Sequence, residues 1–300
     1  MEIRHLTTAD VPAALELVKQ AGWNQVSADW HRLLDLEPDG CFGGYVDGDL
    51  VATTTLCTYD GSEHKSAECG NGPVLTDTGW IGMVLVHEDH RRNGYGGAIV
   101  DHALEAANDR GVTLGLDATD AGRPLYRRRG FVDVCPIERW AGVPTSTPDS
   151  QYDGTGSREW IDLDSRLIDE LCAFDQRSCG VDRSALLQHL LTSSDVAGVG
   201  VRDDDGIRGY AIARPGRESG QIGPLVSSRP ADAPVLLARA SALLEQDAVL
   251  LDVLAVDAVA DTLERLGLEC QRRLTRMTAP NPKQLLVDPD VIAAAGFEFG

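Results

Sequence analysis

Apolar residues in the first half of the chain recur at two spacings, which predict alternating helices and strands. A spacing of three to four residues is typical of helices with one buried face, whereas alternating or continuous apolar runs are typical of strands. The predicted helices lie at about 10–20, from Ser27 or Ala28 onward, at 94–110 and, as one short helix, just after 120. The predicted strands lie at 2–4, 41–46, 50–59, 80–86, 112–118 and 131–134.

The second half of the chain repeats this order of elements. The repeated elements are a hairpin at 198–214, a strand from Ile222, a helix at 233–246 and a strand at 249–253. An internal repeat of this kind indicates two units of one fold. We therefore expect domains at 1–141 and 158–300, joined by a linker at 142–157 that is rich in Pro, Ser, Thr and Gly.

Residues 80–100, WIGMVLVHEDHRRNGYGGAIV, combine a buried strand, a basic glycine-rich turn and the start of a helix. Such a turn suits phosphate, because the helix N-terminus attracts anions and glycine lets the backbone approach a ligand. Its spacing is R-x-x-G-x-G, formed by Arg91, Gly94 and Gly96. Neither the nucleotide P-loop spacing nor G-x-G-x-x-G fits, since Ile99 stands at the third glycine of the latter. An ordinary turn before a surface helix is the alternative interpretation.

This loop resembles the acyl-coenzyme A loop of the GNAT superfamily of N-acetyltransferases. A second motif follows in order, L-Y-x-x-x-G-F, formed by Leu125, Tyr126, Gly130 and Phe131. The segment LDATDAGRPLY is also similar to a GNAT subgroup that carries a second, degenerate domain. The resemblance implies an α+β fold of two tandem GNAT-like domains, each a mixed, mostly antiparallel twisted sheet flanked by helices.

The repeat in the second half lacks the features of a coenzyme site. Where the first half has RRNGYGG, the second has SSRPADA, with no glycine and with prolines in place of backbone donors. No tyrosine occupies the place of Tyr126. We expect a GNAT-like domain that has lost coenzyme binding and that either closes over the acceptor cleft or forms a homodimer.

The resemblance implies acetyl-CoA as co-substrate and assigns residues to it. The coenzyme-binding residues would be Val84, Leu85, Val86, Arg91, Arg92, Asn93, Gly94, Tyr95, Gly96, Gly97 and Thr119, the last standing where many relatives have asparagine. Arg127, Arg128 and Arg129 form another local positive patch in an acidic chain. The residues predicted to wall the acceptor site are Trp23, Asn24, Gln25 and Trp30, although each tryptophan alone is more typical of a core position.

Tyr126 matches the tyrosine that protonates the departing thiolate in this superfamily. A phenol with a pKa of ~10 suits that role, because it keeps its proton at neutral pH and can still donate it. A buried core tyrosine is the alternative.

The general base is left unassigned, because the strand from Ile81 to Val86 carries no acid. Nearby candidates are Asp77, Glu68, His87 and Glu88, and a chain of water molecules would serve as well. We expect no metal site, since His87 and His90 are three residues apart rather than the four of H-E-x-x-H.

Composition narrows the partners and the compartment. The net charge is −20, from 47 acidic and 27 basic residues, which disfavours nucleic acid and anionic membranes and is typical of proteins from a high-salt cytoplasm. Seven cysteines without a C-x-x-C pair indicate reduced thiols. No apolar run approaches the ~18 residues of a membrane span, and MEIRHLTTAD is no signal peptide, so a cytoplasmic protein is expected.

The sequence thus predicts acetyl transfer to the primary amine of a small molecule by direct attack on the thioester. A cationic acceptor such as a polyamine would suit the acidic surface, and peptide or protein N-termini remain open as acceptors. The alternative is a non-catalytic acyl-CoA-binding sensor or scaffold. Tyr126 favours the enzyme, because a binding protein has no need of an acid for the thiolate.

Overall fold

The computed structural model describes residues 1–61, 77–145, 158–254, 256–279 and 290–300. We call the part up to 145 the first half and the part from 158 the second half. Glu68 and most of the expected linker lie outside the described residues. The proposed domain bounds therefore stay a prediction.

The first half contains six strands and four helices among its described residues. The strands are β1 (Glu2–His5), β2 (Cys41–Val46), β3 (Asp49–Gly61), β4 (Thr78–Val86), β5 (Thr113–Ala118) and β6 (Val132–Gly142). The helices are α1 (Val11–Gln20), α2 (Ser27–Leu36), α3 (Tyr95–Arg110) and α4 (Arg123–Arg127).

The described part of the second half follows with the same alternation. Its strands are β7 (Glu159–Leu163), β8 (Val181–Asp182), β9 (Ala197–Asp203), β10 (Gly206–Arg214), β11 (Gly220–Ser227), β12 (Val249–Val253), β13 (Glu269–Ala279) and β14 (Val291–Ala293). Its helices are α5 (Ile168–Cys179), α6 (Ser184–Thr192), α7 (Ala233–Ser241) and α8 (Val256–Arg265).

One sheet runs through both halves, in the order β1-β2-β3-β4-β5-β13-β6-β12-β14-β11-β10-β9-β7. At its centre the halves exchange strands. β13 of the second half lies between β5 and β6, while β6 of the first half lies between β13 and β12. Each half therefore completes its sheet with a strand of the other, and neither sheet is closed by its own residues alone.

The halves differ where a parallel pair of strands separates. In the first half β4 and β5 pair from Thr78–Thr113 to Trp80–Gly115 and then diverge. In the second half β11 and β12 pair only at Gly220 and Gln221, and β14 fills the space beyond by pairing with both. The first half therefore keeps an open gap in its sheet, whereas the gap of the second half is occupied by the chain itself.

Helices cover the sheet and bury its apolar side chains. The buried face of α3 carries Ile99, Val100, Ala103 and Ala107, as its helical spacing predicts. None of the described helices is both long enough and apolar enough to cross a membrane.

The predicted fold class and most predicted elements are confirmed, with two exceptions in length, one in each half. The strand predicted at 131–134 continues to Gly142, because Pro136 interrupts the apolar pattern without ending the strand. The helix predicted at 233–246 ends at Ser241. The repeated order of elements in the sequence does not indicate that the halves exchange β6 and β13.

Candidate active site

The gap between β4 and β5 is widened by an irregularity in β4. Met83 has a positive φ of 49°, and the pairing of β3 with β4 shifts register between Thr53 and Thr55. The Thr53 hydroxyl donates to the Met83 carbonyl at 2.8 Å, which satisfies that carbonyl from the β3 side. Beyond Trp80 no strand of the described residues pairs with the other edge of β4, so its backbone groups face the gap.

The glycine-rich turn lies at the end of this strand and leads into α3. Gly94 is the N-cap of α3 with a left-handed φ of 81°, which glycine adopts without strain. The first backbone hydrogen bond of the helix runs from the Ala98 amide to the Gly94 carbonyl, at 3.0 Å. The amides of Tyr95, Gly96 and Gly97 precede it and have no partner within the helix. These amides form an anion-binding helix N-terminus.

A cavity of about 610 Å³ occupies the gap. The predicted site residues that line it are Trp23, Gln25, Val84, Leu85, Val86, Arg91, Gly96, Thr119 and Tyr126. The structure thus brings together residues that lie as far apart in the sequence as Trp23 and Tyr126. Another cavity, of about 490 Å³, lies beside α8 and contains none of the predicted residues.

The remaining predicted residues lie outside the lining of this cavity; they are Asn24, Trp30, Arg92, Asn93, Gly94, Tyr95 and Gly97. Trp30 is completely buried in the hydrophobic core, where α2 packs. Asn24 instead joins the two halves: its Oδ1 accepts from the amides of Glu218 and Ser219 at 2.9 and 3.1 Å, and its Nδ2 donates to the Ser219 carbonyl at 2.8 Å.

Much of the positive charge predicted near the loop is already paired. Arg129 donates to Asp101 at 2.5 and 2.8 Å and to the Gly97 carbonyl at 3.1 Å. Arg127 pairs with Asp133 at 2.6 Å. Arg129 therefore fastens the turn after α4 to α3, and Arg127 ties α4 to β6. Arg91 is the arginine of the loop that lines the cavity.

Tyr126 is buried and lines the cavity. Its ring packs edge-on against Phe131, with ring centres 6.0 Å apart, which fixes its direction. Burial raises the pKa of its phenol to about 12, against the opposing charge of Arg129. The phenol is therefore protonated at neutral pH and able to donate.

Five further residues of the lining are supplied by the central strands and by the second half. They are Arg139, Arg272, Leu274, Phe297 and Glu298. The last two belong to the segment after β14, whose backbone is held by the first half. The Trp80 indole donates to the Phe297 carbonyl at 3.0 Å, and the Tyr59 hydroxyl donates to the Phe299 carbonyl at 2.8 Å. No local motif marks this segment, so sequence patterns could not have found it.

Two carboxylates line the cavity, and they are bound differently. Asp117 accepts two bonds from Arg276, both at 2.9 Å, so both of its oxygens are engaged by one guanidinium. In Glu298, Oε1 accepts from Arg214 at 2.9 Å, whereas Oε2 accepts from the neutral amide of Gln25 at 2.9 Å. Burial raises the pKa of Asp117 despite Arg276, and burial also raises that of Glu298 despite Arg214 and Gln25.

Asp77, His87 and Glu88, the base candidates that lie within the described residues, are not part of the lining of this cavity. His87 contacts Gln20 through its Nε2, at 2.9 Å, and Asp77 accepts from the amide of Gly61 at 2.9 Å. Within the described ranges, no three His, Cys, Asp or Glu side chains are grouped so as to hold a metal ion.

Comparison with known proteins identifies both halves. The acetyltransferase (GNAT) family matches residues 9–131, and an acetyltransferase (GNAT) domain matches residues 171–286. Holothin acyltransferase from Pseudoalteromonas sp. (strain SANK 73390) is 26% identical over 274 residues, which cover 88% of this chain and 85% of that protein. The uncharacterized N-acetyltransferase YitH of Bacillus subtilis (strain 168) is 25% identical over 228 residues, covering 75% of this chain and 73% of that protein.

Solved structures share the whole architecture. A Pyrococcus horikoshii protein provisionally assigned as an acetyltransferase superposes with a TM-score of 0.78 at 18% identity, covering 100% of this chain and 95% of that one. A tandem GNAT protein from the clavulanic acid biosynthesis pathway superposes with a TM-score of 0.60 at 17% identity, covering 93% and 99%. The chain therefore belongs to the GNAT superfamily and is an acyltransferase built from two GNAT domains.

Proposed function

We propose that the first half transfers the acetyl group of acetyl-CoA to the primary amine of a small molecule. One observation carries the proposal: the gap between β4 and β5 joins the anion-binding turn, the free edge of β4 and Tyr126 in one cavity. The second half lacks an equivalent gap because β14 fills it. One coenzyme site per chain is therefore proposed.

The residues of the gap suit the parts of the coenzyme. The amides of Tyr95, Gly96 and Gly97 would hold the pyrophosphate at the N-terminus of α3, with Arg91 beside them. The exposed backbone of β4 near Val84–Val86 would hydrogen-bond the pantetheine arm as a strand does. When bound, the thioester supplies an acetyl carbon that an amine can attack.

The chemistry requires a neutral amine, a fixed thioester and a proton for the sulfur. The amine nitrogen forms the new bond to the carbonyl carbon, and the carbon–sulfur bond then breaks. Tyr126 donates its proton to the leaving thiolate as a general acid. Its raised pKa keeps that proton in place until the sulfur becomes basic.

Two observations favour a small acceptor. Trp23, Phe297 and Arg139 line the cavity together, and the entire cavity has the size of a small-molecule site. The curated relative with 26% identity is named for acyl transfer to holothin. We therefore propose a free small amine as acceptor.

The test is calorimetric titration of acetyl-CoA, with coenzyme A as comparison, followed by thiol release in the presence of primary amines. The panel would include holothin, benzylamine, putrescine, glucosamine and a peptide with a free N-terminus. Micromolar binding with thiol release on a small amine is the expected result. Binding without release on any amine would contradict the enzyme and support the sensor alternative, whereas release on the peptide alone would contradict the acceptor class.

A further inference from the structure

Glu298 ends a buried network that joins the two halves at the inner end of the cavity. Arg214 of β10 donates to Glu298 at 2.9 Å and approaches Asp29 of α2 at 3.4 Å, and Arg32 pairs with Asp29 at 2.9 Å. Two guanidinium groups balance two carboxylates. The network therefore has no net charge, although all four side chains are almost completely buried.

The glycines around Glu298 show how closely this segment approaches β4. A Cβ atom on Gly82 would lie 2.9 Å from the Glu298 Cα and 3.0 Å from its carbonyl oxygen. A Cβ on Gly296 would lie 2.5 Å from the Glu298 carboxylate. The backbone of Glu298 thus approaches β4 at Gly82, next to the irregularity at Met83, and its carboxylate approaches Gly296. A side chain at either glycine would obstruct this arrangement.

Gln25 provides a second, independent sign that a ligand binds here. Its side chain is 6% exposed and lines the same cavity, and its Nε2 donates to Glu298. Its Oε1 is buried and has no hydrogen-bond partner among the described residues. An unpartnered buried acceptor is destabilising, so a donor from a ligand is expected to satisfy it.

We propose that Glu298, supplied by the second half, is the general base of the reaction and that it binds the acceptor amine together with Gln25. The proposal rests on the acetyl transfer proposed above. Two N–H groups of the incoming ammonium donate to Glu298 Oε2 and Gln25 Oε1. The carboxylate takes one ammonium proton, and the nitrogen lone pair attacks the thioester carbonyl. The carbon–sulfur bond then breaks, the sulfur leaves with the proton of Tyr126, and the second proton lost by the nitrogen returns to the Tyr126 phenolate.

Glu298 suits this role better than Asp117, the other carboxylate of the cavity. Both oxygens of Asp117 are held by Arg276, whereas Glu298 Oε2 is held only by a neutral amide. The charged groups that face Glu298 are Asp29 and Arg32 of α2, Arg214 of β10 and Arg139 of β6. The titratable side chains of Cys57 and Tyr59 of β3 face it as well. Burial raises the pKa of this carboxyl, which makes it a stronger base than a solvated glutamate.

The decisive variant is E298Q, which keeps the shape and removes the base. With benzylamine at pH 7 we expect kcat/KM to fall at least 100-fold while acetyl-CoA affinity is unchanged. The loss in kcat/KM should become tenfold smaller with each unit of increase in pH, because hydroxide in solution then deprotonates the amine in place of Glu298. Aniline is already neutral at pH 7, so its acetylation should be nearly unaffected. E218Q is the matched control, since Glu218 is exposed on the loop that holds Asn24.

Two further measurements complement this variant: the first does not depend on turnover, and the second does not depend on the folding of E298Q. In protein saturated with coenzyme A, benzylammonium should bind E298Q at least tenfold more weakly by calorimetry. In Q25L, Glu298 loses the hydrogen bond that stabilises its charged form, so the acidic limb of the kcat/KM profile should move to higher pH.

The proposal would be overturned if E298Q acetylated benzylamine with the kcat/KM of the wild-type protein. It would also be overturned if E298Q bound benzylammonium with unchanged affinity. If E298Q does not fold, the Q25L profile decides, and an unmoved acidic limb refutes the role of Glu298. Absence of transfer by the wild-type protein to every amine is a different failure. It would remove the proposed acetyl transfer, and the base assignment with it.

Discussion

Arg139 of the first half and Asp252 of the second form a buried bidentate ion pair across the pairing of β6 with β12. The Nε–Oδ1 distance is 2.7 Å, and the Nη2–Oδ2 distance is 2.9 Å. Asp252 is completely buried. The Arg139 guanidinium also lies 4.2 Å from the centre of the Phe297 ring, so this pair connects the exchanged strands to the cavity wall.

Removing one member of this pair should be far more damaging than removing both. D252A leaves the Arg139 charge buried without its partner, and we expect a loss of about 3–5 kcal/mol in the free energy of unfolding. The double variant R139L/D252L should lose less than D252A, because no buried charge is left unpaired. Urea denaturation measures both values. An equal or larger loss in the double variant would show that the pair itself, rather than the orphaned charge, carries the stability.

The exchange of β6 and β13 predicts that the halves cannot fold separately. A fragment of residues 1–145 would lack β13, which pairs with both β5 and β6, and a fragment of 158–300 would lack β6. We expect each fragment alone to be insoluble or poorly ordered by circular dichroism. Coexpression of the two should recover a soluble complex with wild-type acetyl-CoA affinity. A folded, monomeric fragment of either half would refute the exchange.

The two ends of α3 offer a matched test of the coenzyme loop. Gly94 and Gly111 both have left-handed φ values, of 81° and 70°, and a Cβ at either would contact nothing within 4 Å. G94V and G111V should therefore lose similar stability, about 1–3 kcal/mol. Only G94V should weaken acetyl-CoA binding, by at least tenfold, because Gly111 lies roughly 24 Å away along the helix. Equal affinity in the two variants would contradict the loop assignment.

Y126F tests the proposed acid. Turnover should fall about 100-fold with acetyl-CoA affinity nearly unchanged, because only the proton donor is removed. A thioester analogue with a more acidic leaving thiol should recover most of the rate, since that thiolate needs no proton. Unchanged turnover with acetyl-CoA would remove Tyr126 from the mechanism.

The pH profile gives a separate check on Tyr126. Because burial raises the pKa of its phenol to about 12, the protonated form persists at all pH values below that. Wild-type kcat should therefore show no basic limb from this group up to pH ~10, which is the pKa of a solvated tyrosine. A basic limb near pH 8 that disappears in Y126F would mean that the phenol is more acidic than its burial implies.

The predicted coenzyme residues and the predicted acceptor residues differ in how far local sequence determines their positions. The residues from Val84 to Gly97 are consecutive, so one strand, one turn and one helix fix their geometry locally. Trp23 and Gln25 lie in the cavity wall, as predicted. Trp30 lies in the core, because an amphipathic helix directs its apolar face inward and the tryptophan stands on that face.

Glu298 could not have been predicted from local pattern. It comes after the repeat has ended and follows β14, whose three residues are too few to show a periodicity. Its place depends on pairing with β11 and β12 and on glycines at 82 and 296, which only the assembled structure relates to one another. The position of β13 between β5 and β6 could not have been predicted from local pattern either. It depends on pairing with strands that are distant in the sequence, and the two halves offer two similar sheets for such pairing.

The exchanged strands have a consequence for synthesis. When β5 and β6 leave the ribosome, the strand that must lie between them has not yet been translated, so two strand edges stay unpaired until most of the second half exists. Contacts so distant in sequence form slowly, and exposed edges invite pairing with other chains. We therefore expect nascent first halves to rely on chaperones, and translation rate to influence the yield of active protein.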